Sequence, residues 1–305
     1  MDPGDAAMTR PIALTIAGSD SGGGAGVQAD LRTFAALGVY GAGAITALTA
    51  QNTRGVRAIE VASPEIVRAQ IAAVMEDFSV AAIKIGMLGS AKIVGVVAER
   101  LRLPSPRPSP AIPGSSPGRR GGESLLPLAG EGGAERRMRA FVVYDPVMVA
   151  SSGDALTGAG FVEAVRAELL PLVDCLTPNL VEAAALLGEP AARSEADMAR
   201  QGRALIALGP RAVVIKGGHL PGEAAVDLLV TGEAVHRFAG PFIPSNNLHG
   251  TGCTLSSAIA ANIVLGQPLP EAVAAAKGFV RQAIEAGRGL ALGAGAGPLI
   301  QIALN

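Results

Sequence analysis

A regular alternation constrains this chain more than any other feature. Short runs of Val, Ile, Leu and Ala recur at Ile12–Ala17, Gly43–Ala50, Ala81–Ile85, Ala140–Tyr144, Cys175–Thr177 and Ala212–Ile215. Between or after them lie longer stretches with helical spacing: Val27–Leu37, Pro64–Glu76, Ala91–Leu101, Gly160–Leu170, Leu180–Leu187, Glu195–Leu208, Thr254–Val264 and Leu269–Ala286. The short runs lack polar alternation, as strands covered on both faces do. Strand and helix taking turns in this way predicts an α/β fold with a doubly wound, mainly parallel sheet and helices on both faces. Ser63-Pro64 reads as an N-cap followed by proline at the first helical position. From Asp227 to Phe238 the pattern changes to two strand-like runs around Thr231-Gly232, which predicts a small antiparallel hairpin at one sheet edge.

One segment breaks the rhythm. Residues 103–139 hold six prolines between Pro104 and Pro117, then Gly118-Arg-Arg-Gly-Gly122, with few side chains that could join a core. Proline removes a backbone donor and fixes φ, so neither helix nor central strand is expected there. We read 103–139 as a disordered insertion within a single domain spanning 11–305, and 1–10 as a disordered leader, with Met8 just before the first strand.

Composition excludes several functions. The 25 Lys and Arg against 26 Asp and Glu leave a net charge of −1, so no general nucleic-acid binding field exists. Aromatics are 3% with no Trp, too few for a base-stacking platform. Apolar residues are 49% and charged residues 17%, the latter against about 25% in an average domain, which suits a buried sheet. Two cysteines, Cys175 and Cys253, make neither a disulfide framework nor a metal pair. With no secretory signal and no run long enough to span a bilayer, a cytoplasmic protein without membrane association is expected.

Three constellations could carry chemistry. The first is the glycine-rich stretch Ala17 to Gly26 between strand and helix. As a dinucleotide fingerprint it is weak, because Gln51-Asn52-Thr53 stands where the acidic partner should lie. Asp20 falls just past the strand's C-terminal end, where such sheets place ligands. The second is Asn247-Leu-His-Gly-Thr-Gly-Cys-Thr254 leading into a helix. Small residues at a helix start leave free N–H groups, and with the helix dipole these make an anion site. Gly250 and Gly252 let a phosphate approach and Thr251 adds a hydroxyl. Cys253 has the helix-start setting that lowers a thiol pKa, which a bound triphosphate would oppose, so the net direction stays open. Cys175 reads as a buried strand residue. The third comprises Asp145 after one strand, Asn179 and Glu182 spaced three apart on a helix face, and Lys216 after another strand. Asn179 and Glu182 could share a water or magnesium shell, since Mg²⁺ keeps several waters; equally, Asn179 could be an N-cap and Glu182 a solvated residue. His219 and His249 read as hydrogen-bonded loop residues.

Taken in order, Ile16-Ala-Gly-Ser-Asp20, Gly23-Gly-Ala-Gly-Val-Gln-Ala-Asp-Leu31, Thr46-Ala-Leu-Thr-Ala-Gln-Asn52, Lys84-Ile-Gly-Met-Leu88, Asp145-Pro-Val-Met148, Thr177-Pro-Asn-Leu-Val-Glu182, Lys216-Gly-Gly-His219 and His249-Gly-Thr-Gly-Cys-Thr254 resemble the hydroxymethylpyrimidine/phosphomethylpyrimidine kinases of thiamin biosynthesis, of ribokinase-like fold. The resemblance spans Pro11 to Pro298, the insertion aside. It implies transfer of the ATP γ-phosphoryl group to 4-amino-5-hydroxymethyl-2-methylpyrimidine and then to its monophosphate, with Mg²⁺ and a monovalent cation, in a homodimer.

By the same resemblance, Gln51 would bind the pyrimidine's amino group and ring nitrogen, and Gly18, Asp20 and Met87 would line that pocket. Gly250, Thr251 and Gly252 would hold the transferring phosphoryl. Asp145, Asn179 and Glu182 would organise Mg²⁺ through water, and Lys216 would lie on the nucleotide side. Sugar kinases of this fold carry Asp where Cys253 stands. A thiol is the poorer base, but the first step, from an alcohol, should benefit from Cys253 as proton acceptor, and the second, from an ionised phosphate, should not need one. The tail from Gly293 to Pro298 keeps the family's glycines without a Lys often found among them. The rival readings are a pyridoxal/pyridoxine kinase of the same fold, a non-catalytic pyrimidine sensor, and a dinucleotide-binding oxidoreductase.

Overall fold

The computed structural model describes residues 10–103, 139–149, 156–218, 220 and 224–301. Nearly all of the expected leader and insertion, and His219, lie outside these residues. The described strands form one sheet in the order β3-β2-β1-β4-β5-β6-β7-β8-β9. They are β1 (Ile12–Asp20), β2 (Tyr40–Asn52), β3 (Gly55–Val61), β4 (Val80–Ile85), β5 (Phe141–Tyr144), β6 (Cys175–Leu176), β7 (Ala212–Lys216), β8 (Ala224–Thr231) and β9 (Val235–Pro241). The six strands from β2 to β7 in that order are parallel. β8 and β9 form the expected antiparallel hairpin, and β3 adds a second antiparallel edge against β2. The single antiparallel edge read from sequence is therefore corrected to two. β3 was missed because it is an edge strand with Arg57 and Glu60 among its apolar residues.

The helices are α1 (Gly26–Ala36), α2 (Pro64–Asp77), α3 (Ala91–Arg102), α4 (Phe161–Ala164), α5 (Leu180–Leu187), α6 (Glu195–Ile206), α7 (Thr251–Val264) and α8 (Leu269–Gly287). Strand residues alternate between two cores. Leu14, Ile16, Ile83, Ile85, Val142 and Tyr144 face α2 to α6. Ala13, Ala82, Val143 and Val214 face α1, α7 and α8, where Ala258, Ala260 and Ala261 let α7 sit close to the sheet. Burial of this apolar surface on both faces is the main stabilising term.

Ser63 caps α2 as expected, its hydroxyl accepting the N–H of Ile66 at 3.3 Å. The helix expected over Gly160–Leu170 is split. After Ala164 the chain widens into a π turn (Val165–Leu169) and then tightens into a 3₁₀ turn (Leu170–Leu172). Pro171 has no N–H to continue the ladder. α7 begins at Thr251, three residues before the expected start, so Thr251, Gly252 and Cys253 form its first turn. Among the described residues no helix is long and apolar enough to cross a membrane.

Candidate active site

Parallel strands bring their C-terminal ends to one edge, and the residues read from the sequence gather there. Gly18 and Met87 touch: a Cβ on Gly18 would stand 3.1 Å from Met87 Sδ. Met87 is buried, and its carbonyl accepts the Thr46 hydroxyl at 2.6 Å. Asp20 is buried with its oxygens occupied. Oδ1 accepts the N–H of Gly22 at 2.8 Å, and Oδ2 accepts those of Gly24 and Ala25, both at 2.9 Å. His249 Nε2 lies 2.8 Å from the same Oδ2. The glycine-rich loop thus wraps its amides around the protein's own carboxylate. That disfavours the dinucleotide reading, in which those amides would face a pyrophosphate. Burial alone would raise the Asp20 pKa; the His249 contact and the backbone donors outweigh it and hold the carboxyl below its ordinary value. Gln51 lies one residue before the end of β2, with one end of its amide 3.3 Å from His249 Nε2 and the other 3.2 Å from Thr49 Oγ1.

The two glycine loops interlock. Gly250 caps α7 with φ +90°, and a Cβ there would lie 1.9 Å from the Gly24 carbonyl oxygen. Only glycine permits both the left-handed backbone and that approach. Thr251 turns inward: its N–H and its hydroxyl both donate to Leu248 O, at 3.2 and 2.6 Å. The free hydroxyl expected from the sequence is therefore already engaged.

At the other side of the α7 start, Lys216 Nζ donates to Asp145 Oδ1 at 2.6 Å and lies 3.7 Å from Glu182 Oε2. Asn179 and Glu182 form a capping box on α5. Asn179 Oδ1 accepts the N–H of Val181 and of Glu182, both at 2.9 Å, and Glu182 Oε2 accepts the N–H of Asn179 at 2.7 Å. Asn179 is thus the N-cap, while Glu182 is buried rather than solvated. Burial pushes the Glu182 carboxyl up to about 7; Lys216 opposes the rise and Asp145 adds to it. A Cβ on Gly252 would stand 3.1 Å from Lys216 Nζ and 3.3 Å from Asp145 Oδ2. The missing side chain keeps open a cradle between the helix start and this charged cluster. Asp145 and Glu182 supply two carboxylates there. That donor set fits a divalent cation that keeps most of its waters and takes further oxygens from phosphates.

Cys253 lies near a second buried charge pair, whose two members stand in separate sequence motifs. Lys84 Nζ lies 2.8 Å from both Asp30 oxygens, and both side chains are fully buried. Asp30 also accepts the Thr15 and Ser257 hydroxyls, at 2.6 and 2.7 Å. Burial works against the Lys84 charge, but Asp30 holds its pKa above the ordinary value. Burial pushes the Cys253 thiol up to about 11; Lys84 opposes that shift, while Asp30 and Asp145 add to it. The direction left open in the sequence is upward, and at neutral pH the group is a thiol. Cys175 is buried in β6, as expected.

The sequence profile of the phosphomethylpyrimidine kinase family matches residues 20–109 and 133–300. The chain belongs to the phosphomethylpyrimidine kinase family. The stretch the profile skips falls inside the Pro/Gly/Arg-rich segment. A hydroxymethylpyrimidine/phosphomethylpyrimidine kinase of Rhizobium meliloti is 48% identical over 288 residues, covering 94% of this chain and 96% of that protein. Among solved structures, an ADP complex of Bacillus subtilis pyridoxal kinase superposes with a TM-score of 0.78 at 32% identity, covering 97% of this chain and 98% of that one. A phosphomethylpyrimidine kinase of Clostridium difficile gives 0.70 at 38% identity, covering 90% and 100%. This member of the phosphomethylpyrimidine kinase family has the ribokinase-like α/β fold, with both glycine loops of the sequence reading at one edge of its sheet.

Proposed function

We infer that this chain phosphorylates 4-amino-5-hydroxymethyl-2-methylpyrimidine with ATP, giving the monophosphate and then the diphosphate for thiamin biosynthesis. The observation that carries the inference is the convergence at Gly252. A helix start whose first turn has Gly252, without a side chain, at the point of approach faces a half-buried ammonium and two buried carboxylates. Phosphoryl transfer asks mainly for positioning and for charge stabilisation around the moving group. Gly250 shapes the turn, and with Thr251 committed to Leu248, the amides of Gly252 and Cys253 are the donors we assign to the anion. Lys216 balances phosphate charge. Asp145 and Glu182 would hold Mg²⁺ through its waters, and the ion would supply charge neutralisation on the ATP phosphates. Asn179 shapes this site through its cap on Glu182. Gln51 meets the pyrimidine edge, with Gly18 and Met87 forming the wall and Asp20 fixing the loop beside it.

A pyridoxal kinase reading is favoured by one observation, the 0.78 TM-score to the Bacillus subtilis pyridoxal kinase. The test offers hydroxymethylpyrimidine, its monophosphate and pyridoxal separately with ATP and follows ADP and product mass. Turnover of both pyrimidines with slow pyridoxal is the expected result. Pyridoxal alone would move the assignment. Tight pyrimidine binding without ADP would leave a sensor. The monovalent cation is tested by comparing rates in potassium and tetramethylammonium salts. A homodimer is proposed from the family resemblance, supported by exposed Leu48 and Val61 on the β2–β3 edge, and light scattering tests it.

A further inference from the structure

Gln51 carries the pyrimidine in the reading above, yet an amide can present either of two polarities. Its oxygen and nitrogen have the same shape, and only their partners decide which end is which. Here both ends of the amide have partners. Asp20 accepts three backbone N–H groups, which is the pattern of an ionised carboxylate, an acceptor only. His249 Nε2 at 2.8 Å from Asp20 Oδ2 must then carry a proton, since a bare ring nitrogen there would face a lone pair with a lone pair. At the far end, the single hydroxyl proton of Thr49 is given to Ser19 O at 3.0 Å, and a carbonyl can only accept. Thr49 therefore has only lone pairs to offer Gln51 at 3.2 Å.

The two ends agree. With Gln51 Nε2 toward His249 two donors would meet at 3.3 Å, and with Oε1 toward Thr49 two acceptors would meet. A half-turn of the amide removes both conflicts: Oε1 faces the His249 N–H as the second, longer acceptor (3.3 Å) of a proton shared with Asp20 Oδ2 (2.8 Å), and Nε2 donates to Thr49 Oγ1. The amide keeps one N–H and one oxygen lone pair for a ligand, the complement of an edge that offers an amino donor beside a ring-nitrogen acceptor. Their order matters. The substrate amino group meets Oε1, on the His249 side, and the ring nitrogen meets Nε2, on the Thr49 side. In the proposed substrate the hydroxymethyl group is on the ring carbon next to the one bearing the amino group. An amino group on the His249 side therefore turns the reacting hydroxyl toward Gly250–Cys253, the residues that follow His249 in the chain. The opposite polarity would turn it away.

We propose that His249 is a specificity-determining positioning residue, which acts through Gln51 by fixing the polarity of its amide and so the orientation of the aminopyrimidine ring. Gly24 is what lets it do so, since a Cβ there would lie only 2.3 Å from His249 Cδ2. Asp20 gains a second role, holding the imidazole as well as the loop. The proposal rests on the reading that Gln51 binds the ring.

The test is a double-mutant cycle on the first phosphorylation, with the hydroxymethylpyrimidine and its analogue lacking the amino group as substrates. His249→Phe keeps the ring shape and removes the N–H. It should lower kcat/KM for the aminopyrimidine about tenfold, the usual scale for one oriented hydrogen bond to substrate. The loss should vanish in a Gln51→Ala background and with the des-amino analogue. His249→Gln, whose Nε2–H falls where the ring N–H was, should recover most of it. Thr49→Val loosens the other end of the same amide and should show the same loss and the same non-additivity, which keeps the test open if His249→Phe folds poorly. A loss of equal size in both backgrounds and on both substrates would mean that His249 merely supports the loop, and would overturn the proposal. If Gln51→Ala costs activity but neither His249→Phe nor Thr49→Val does, the proposal alone fails. If Gln51→Ala leaves kcat/KM unchanged, the ring-binding reading fails and takes the proposal with it.

Discussion

Gly250→Ala is the sharpest test of the interlocked loops. The added methyl would stand 1.9 Å from the Gly24 carbonyl oxygen and 3.0 Å from its carbon, both backbone atoms that no rotamer change can move. Ordinary C···O contact begins at about 3.3 Å, so the loops must part by more than about 1 Å. The backbone itself adds about 1–2 kcal/mol, because an L side chain is forced to a left-handed φ. A displacement of that size at a group that positions reactants costs on the order of 10² in rate. We therefore expect Gly250→Ala to reduce kcat/KM about 100-fold for both phosphorylations, since both use the same anion site. Gly38→Ala separates the two contributions. Gly38 has φ +78° with nothing within 4 Å of an added Cβ, at the opposite end of the sheet. It should lose about 1–2 kcal/mol in urea unfolding and leave the kinetics alone. The assay is ADP release at saturating ATP with each pyrimidine, beside urea melts of both variants. Gly250→Ala retaining kcat/KM within about threefold would refute the reasoning, because the loops would then tolerate a separation that positioning does not allow. Equal kinetic losses in the two variants would refute it as well.

Three further outcomes follow from the buried charges. Lys84→Met should destabilise the protein by about 3–5 kcal/mol in urea, because it strands Asp30, whereas adding Asp30→Asn should recover at least half of that; a single-variant loss below about 1 kcal/mol would remove the pair from the account. Glu182, held up at about 7, keeps its proton in the folded state where an unfolded carboxyl has lost it. The stability it lends is present below the ordinary carboxylate range and is lost as pH rises through about 7. Mg²⁺ needs the ionised form, so the Mg²⁺ concentration for half-maximal rate should fall as pH rises toward 7 and then level, and Glu182→Gln should flatten that profile. For Cys253, with the thiol at about 11, the thiolate fraction grows about tenfold per pH unit below that value. If thiolate accepts the alcohol proton, the first phosphorylation should quicken between about pH 6 and 9 while the second stays flat, and Cys253→Ala should abolish the slope; equal loss of both steps in Cys253→Ala would sink the asymmetry.

The layered fold was legible because the core strands announce themselves. Val142, Val143, Val213 and Val214 are apolar on both faces, and Ser63-Pro64 marks the start of a helix. The edge strand β3 was not, since half its side chains face water and its pairing with β2 is tertiary information. The site was legible as an address. Strand ends and glycine loops mark where a ligand lies, but not which atoms are still free to meet it. Asp20 and Thr251 read as ligand-facing residues and Asn179 as either that or an N-cap, and each has hydrogen-bonding atoms committed to nearby backbone. Such bonds join residues only two to five apart, which looks readable. They are not, because an N-cap and a metal ligand call for the same side chain at the same spacing.

The Asp30–Lys84 pair was hidden for a different reason. Fifty-four residues separate its members, and neither sits in a spacing that signals chemistry. Its place explains the residue that sets this chain apart from sugar kinases of the same fold. Two ammonium groups, Lys84 and Lys216, lie near Cys253, and each is neutralised by its own carboxylate, Asp30 and Asp145. Glu182, with its carboxyl held at about 7, adds only part of a negative charge near neutral pH. The local balance therefore closes near zero with a neutral group at position 253. Cys253 is half-buried, and a carboxylate there would have no counter-charge left, which is costly for a charge partly withdrawn from water. A thiol fits because it can stay neutral at rest and become an anion only when a proton has somewhere to go. Burial is what pushes Cys253 upward, with Asp30 and Asp145 adding to it against Lys84, whereas a helix N-terminus alone would have lowered it.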